Sequence, residues 1–187
     1  MIKPYQKFGL FIPIIAVIGM FFSGCENDLS EVNRLTYYEK LPVQTIKNSF
    51  ITYTDSAVTQ FTVEAGQIDR YPSEEDPIDE FSNGVHLITF DKKGEFESEI
   101  IAENATNHLS TKIMIARDSV VLRNAEGKML ETELLTWDDN TGKIFTDKFV
   151  KITTPTEILY GDGLTAEQDF SSYEILNIKG RIKVDSE

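Results

Sequence analysis

Residues 118–166 read DSVVLRNAEGKMLETELLTWDDNTGKIFTDKFVKITTPTEILYGDGLTA. Moved along by 30 positions, the stretch lies over itself: Val120 falls on Val150, Leu122 on Ile152, Met129 on Leu159, Leu130 on Tyr160 and Leu134 on Leu164. Similarity at a fixed period marks a structural unit that stacks on its neighbours. Between the matching pairs lie two turn-forming clusters, Asn124-Ala125-Glu126-Gly127 and Asp138-Asp139-Asn140-Thr141-Gly142. Asn, Asp and Gly take up the positive φ angles and side-chain-capped turns of hairpins at low cost. The repeating unit is therefore a β-hairpin, and the stretch predicts a ribbon of antiparallel strands added one after another.

Upstream, Phe61, Val63 and Ala65 alternate with Thr62, Glu64 and Gly66. A period of two is that of a half-buried strand. Residues 49–54 are set to pair with it through the turn Asp55-Ser56-Ala57. Residues 73–80 hold five acids in eight positions, and Pro77 bars a central strand. They are expected to form a solvated loop, because the acids lack the spacing and the Gly of a calcium-binding loop. Further strands are expected at residues 85–90, 95–102 and 110–116, with turns at 91–94 and 103–108. The last strand is expected at residues 173–184, interrupted by Gly180. No segment beyond residue 25 shows an apolar period of 3.6. The fold class is all-β: a twisted jellyroll, or open sandwich, of stacked antiparallel hairpins.

The N-terminus reads as a targeting segment. Lys3 and Lys7 precede an apolar run of 15 residues, 8–22. That is short for a membrane span and typical of a signal sequence. The run ends in Phe22-Ser23-Gly24-Cys25, which resembles the lipobox of bacterial lipoproteins, where the Cys is acylated and becomes the new N-terminus. An uncleaved anchor is the alternative, and both place the remainder outside the cytoplasm. The expected organisation is a signal peptide over 1–24, a lipidated tether over 25–43 and a β-domain over 44–187. Cys25 is the sole cysteine, so the β-domain stands without a disulfide.

Residues 1–24 contain two lysines and no acid, so their removal takes the net charge from −13 to −15. Such a balance argues against nucleic acid as a partner, since phosphates require Lys and Arg. It argues equally against docking on anionic lipid by charge. Acyl chains on Cys25 are the expected attachment to a membrane. Glu26, Asn27 and Asp28 resemble signals that hold some lipoproteins at the inner membrane. They also resemble signals that export others to the surface. The inner membrane is the expected location and the outer membrane the alternative.

The sequence offers little to catalysis. His86 and His108 lie in or beside strands, and no Gly-x-Ser-x-Gly elbow accompanies them. Two histidines and one acylated cysteine do not make a zinc site. Asp138 and Asp139 sit in a turn where Asp is expected for its backbone hydrogen bonds. Asp162 lies between Gly161 and Gly163, with no helix behind them to complete a phosphate cradle. The chain is read as a non-enzyme needing no cofactor and no metal.

Apolar binding remains. The inner faces of the stacked hairpins carry Phe50, Phe61, Val63, Leu87, Phe96, Ile100, Ile113, Ile115, Val120, Leu122, Leu134, Val150 and Ile152. In a closed sandwich these residues form the core, and in an opened one they line a channel. Trp137 is expected at a rim, with one edge in water. The terminal strands, residues 50–54 and 173–184, are candidate free edges, whose unpaired backbone groups invite another strand.

The order of strands, turns and glycines in SVVLRN..G..LETELLTWD...GKIFTDKFVKITTP...LYGDGLTA resembles the LptC family, with its OstA-like jellyroll. The resemblance extends upstream through FTVEAGQIDRY (61–71) and ESEIIAENATNHLSTKIMIARDSVVL (97–122), and covers roughly residues 48–182. It implies a protein that moves lipopolysaccharide away from the inner membrane, with lipid A acyl chains held in the interior. It implies two partners, the Lpt inner-membrane ABC transporter at the N-terminal edge and an LptA-like jellyroll at the C-terminal edge. Tyr160 and Gly161 match the family's Tyr-Gly and are expected to face a partner, together with Tyr173, Ile175, Ile178 and Ile182. A β-sandwich lipoprotein that binds another small ligand, or serves as scaffold, is the alternative.

Overall fold

A computed structural model describes residues 41–183. The expected signal peptide, Cys25, most of the tether and Val184 lie outside the described residues. Ten strands make up the described fold. They are β1 (Gln44–Asp55), β2 (Val58–Tyr71), β3 (Ile78–Phe90), β4 (Phe96–Ala102), β5 (Asn104–His108), β6 (Ile113–Asn124), β7 (Met129–Asp138), β8 (Lys143–Thr153), β9 (Glu157–Glu167) and β10 (Tyr173–Lys183). All join one antiparallel sheet in the order β1-β2-β3-β4-β6-β7-β8-β9-β10, with β5 inserted between β3 and β6.

The hairpin turns have the chemistry their residues demand. Gly127 and Gly142 adopt φ of 78° and 63°. Asn124 Oδ1 accepts hydrogen bonds from the backbone N–H of Glu126 and Lys128, at 3.1 and 3.0 Å. Asp138 Oδ1 accepts one from Asn140 N–H at 3.0 Å.

A row of irregularities crosses the sheet. The pairing register slips between Ala65 and Gln67, between Arg117 and Val120, between Thr132 and Thr136, and between Thr146 and Phe149. Positive φ angles fall on the same line, at Asn83 and Gly84 in β3 and at Asp118 and Ser119 in β6. Glu103, between β4 and β5, completes the row. Its N–H donates to Asp118 O and its carbonyl accepts from Gly84 N–H, both at 3.0 Å. Bulges bend a strand and add twist, and a continuous row of them folds the sheet into two leaves. The first leaf holds β4 and the parts of β2, β3, β6, β7 and β8 on one side of the row. The second holds β5 and the remaining parts.

Both hydrophobic cores draw on both leaves. In one, Val120, Leu122, Leu130, Val150 and Ile152 of the first leaf meet Leu135, Ile144 and Leu164 of the second, with Phe170. In the other, Val63, Ala65, Val85 and Leu87 meet Ile68, Phe81 and Ala105. Phe170, in the β9–β10 loop, is fully buried at φ 55°. Its carbonyl accepts a hydrogen bond from Asn124 Nδ2 at 3.2 Å, and its ring stacks on Tyr173 with centroids 5.2 Å apart. The loop thus stoppers the sandwich over its β6–β10 half.

Several expectations change. Residues 78–80 belong to β3 rather than to a solvated loop, which is confined to residues 72–77. Asp79 is buried there, and Arg70 donates to it at 2.7 and 2.9 Å. Asn104–His108 is a strand and not a turn. Its Asn and His residues read as turn formers, yet it is paired on both sides, and pairing overrides local preference. Residues 110–112 are a turn, and β6 begins at Ile113.

Candidate functional site

At the end of the sandwich away from the row of bulges, the two leaves part on the β1–β4 side. The gap has two lobes, of about 480 and 360 Å³. Phe61, Leu87, Trp137 and Asp139 line both. The larger lobe adds Tyr53, Phe90, Ile100 and Ile144, and the smaller adds Ile51, Val63, Phe81 and Met114. Each is the size of a small-molecule site. Towards the bulges the gap narrows between Val85, Ala102, Ala105 and Ala116 to about 10 Å³.

Each wall residue is placed by strand periodicity. Phe61, Val63 and Ala65 project inward from β2. Opposite them on β1, Tyr53, Ile51 and Ser49 project to the same side. The Tyr53 and Phe61 rings stack with centroids 4.9 Å apart. Because β1 has no neighbour beyond it, Ile51 and Tyr53 remain 41% and 52% exposed, a wet apolar lip. Trp137 marks the boundary between the stoppered and open halves. Its Nε1–H donates to Gln168 Oε1 of the β9–β10 loop at 3.3 Å.

Polar groups ring the larger lobe. Asp55, Glu97 and Asp139 line it along with Gln60, Thr89, Ser98 and Gln168. Burial, followed by the charges of Asp169 and Asp91, pushes the Glu97 carboxyl above its ordinary pKa, against a weaker pull from Thr89. In the smaller lobe stand Asp79, His108 and Lys112. His108 Nδ1 lies 2.6 Å from Asp76 Oδ2. His86 is on the first leaf, with Nε2 2.8 Å from Glu99 Oε2. Burial alone would raise the Glu99 carboxyl, but hydrogen bonds from His86 and Arg123 hold it below its usual range. The two histidines lie on different leaves, and neither has a serine or cysteine among these partners. No cluster of three metal-ligating side chains occurs among the described residues.

The thirteen lining candidates fall into three groups. Phe61, Val63, Leu87 and Ile100 line the cavity. Val120, Leu122, Val150 and Ile152 are essentially inaccessible and form the core of the stoppered half. The remaining five are corrections. Phe50 pairs with outward Glu64 and is 68% exposed. Ile113 and Ile115 stand out of phase with inward Met114 and Ala116, and Leu134 with inward Leu135. Phe96 is 43% exposed at the start of β4 and outside the cavity wall. A shift of one residue moves a side chain to the opposite face. Ile51, Tyr53, Met114, Leu135 and Ile144 were missed, although Ile51 and Tyr53 follow from extending the β2 alternation across its hairpin.

The partner-facing candidates also divide. Tyr160 and Gly161 are in β9, which β10 covers, so neither is on the free edge. Gly161 is instead a close approach: a Cβ there would lie 2.6 Å from Asn177 O. Tyr160 stacks on Phe149, with ring centroids 6.2 Å apart. Tyr173 and Ile175 are half-buried against the core. Ile178 and Ile182 are 67% and 54% exposed on β10, the strand at the end of the sheet.

Comparison with curated proteins gives no match. A family model described as lipopolysaccharide-assembly, LptC-related, matches residues 12–183, which takes in all ten strands. That family is a transport component rather than a known enzyme family. It supports involvement in lipopolysaccharide export and is associated with the periplasmic side of the inner membrane. On a match over that much of its length, the chain belongs to the LptC family.

Proposed function

We propose that the β-domain carries lipopolysaccharide by holding lipid A acyl chains between its leaves on the open, β1–β4 side. It accepts the lipid from an inner-membrane ABC transporter and passes it to a second, LptA-like jellyroll. The observation that carries this reading is the asymmetry of the sandwich. One half is stoppered by Phe170, while the other keeps an apolar gap that opens to solvent along β1. Apolar chains gain by leaving water for such a wall. The family match supplies the class of lipid.

The two ends of the sheet support transfer between proteins. β1 and β10 each have one neighbour, and β10 presents eleven residues without a proline. A strand of that kind can take a further strand by backbone pairing. Attachment through acylated Cys25 would keep the domain beside the transporter. Depleting the protein tests the proposal: newly made lipopolysaccharide should accumulate in the inner membrane. Undiminished arrival at the outer membrane would contradict it.

A further inference from the structure

The larger lobe has an apolar floor and an acidic mouth. Asp55 ends β1, Glu97 opens onto the gap from β4 and Asp139 projects from the β7–β8 turn. No lysine or arginine is among the residues that line this lobe. The field there is felt by Glu97, whose carboxyl holds its proton more tightly because it is partly buried and faces Asp169 and Asp91. In the adjoining lobe Asp79 is neutralised by Arg70, and Lys112 stands beside Asp139, whose N–H donates to Lys112 O at 3.1 Å. Across both lobes, one lysine thus faces three acids without a cationic partner at the wall.

This arrangement is unsuited to a phosphate. A dianionic group brought to the mouth meets like charge, and juxtaposed like charges penalise association strongly. Acyl chains carry no charge and meet only Phe61, Leu87, Ile100 and Trp137 below the rim. We infer that the mouth sorts lipids by headgroup charge, taking an acylated glycolipid with fewer phosphates over the same lipid with more. Asp55, Glu97 and Asp139 are the residues that set the preference. The inference rests on the cavity being the lipid site, and deepens that reading by naming the class of lipid A it favours.

The test compares two lipid A molecules with identical acyl chains, one bearing two phosphates and the other one. Each displaces an environment-sensitive apolar fluorophore from the purified full-length protein, with a chelator present so that no divalent cation bridges carboxylate to phosphate. The single-phosphate lipid should bind about ten-fold more tightly at low salt. The ratio should shrink toward one at about 1 M salt, where screening acts over about 3 Å. It should shrink likewise in the Glu97→Gln, Asp139→Asn double variant at low salt. Equal or tighter binding of the two-phosphate lipid by the wild-type protein overturns the sorting while leaving the cavity as a lipid site. Failure of both lipids to displace the probe overturns the lipid reading of the cavity, and the sorting with it.

Discussion

Glu97 shows how far one residue can be followed from its surroundings. Its carboxyl is partly buried and is flanked by Asp169 and Asp91, so it titrates above its ordinary value of 4.5. The folded protein therefore binds that proton more readily than the unfolded chain, and the ionised form is the less stable one in place. An acyl chain laid against it removes more water and favours the neutral form further. Lipid binding is thus coupled to proton uptake, and affinity should rise as the pH falls from neutral towards the raised Glu97 range. Glu97→Gln should flatten that dependence and bind at neutral pH at least as well as the parent does at the lower pH. Isothermal titration across the range checks it, and an unchanged slope in the variant would remove Glu97 from the wall.

The same scale explains which residues the sequence misplaced. The 30-residue displacement holds for Val120 with Val150 and for Leu122 with Ile152, all buried in one core. It then fails by one. Four residues join β6 to β7 but only three join β8 to β9. Beyond the turns the matching positions are therefore Leu130 with Leu159, Leu135 with Leu164 and Trp137 with Ala166, at a displacement of 29. Leu134 was assigned inward by carrying 30 past that turn.

At the scale of the elements, the hairpin succession and the turns were legible because Asn124, Gly127, Asp138 and Gly142 announce them. The bulge row was not. Gly66 and Gly84 hint at it, but Asp118-Ser119 and Glu133-Leu134 carry no comparable signal, and their conformations arise from neighbours across the sheet. The edge strand β10 was legible from its alternation. Its charges were not, since Lys179 pairs with Asp162 and Arg181 with Glu157 on β9. Two of the three cations expected to select an acidic partner are engaged within the domain, which leaves Ile178 and Ile182 as the more available contacts. Ile178→Asp should cost the isolated domain less than about 0.5 kcal/mol, as exposed substitutions usually do. It should still abolish capture of a partner jellyroll in a pull-down. Capture at the parental level would place the partner on another surface.

At the scale of the molecule, one antiparallel sheet is folded along a line of bulges, stoppered over one half and open over the other. A closed sandwich would bury Ile51, Tyr53 and Trp137 alike. Here they line an apolar gap, and the family match names lipopolysaccharide as the lipid in question. Site-specific photocrosslinking in cells bears on this most directly. Photoreactive residues at Leu87 and Trp137 look into the gap, whereas residues at Glu64 and Lys151 look away from it on the opposite face of the same leaf. Lipopolysaccharide should be captured from Leu87 and Trp137 and not from Glu64 or Lys151. Capture only from Glu64 and Lys151 would show that lipid travels over the outside of the sheet, and would contradict carriage between the leaves.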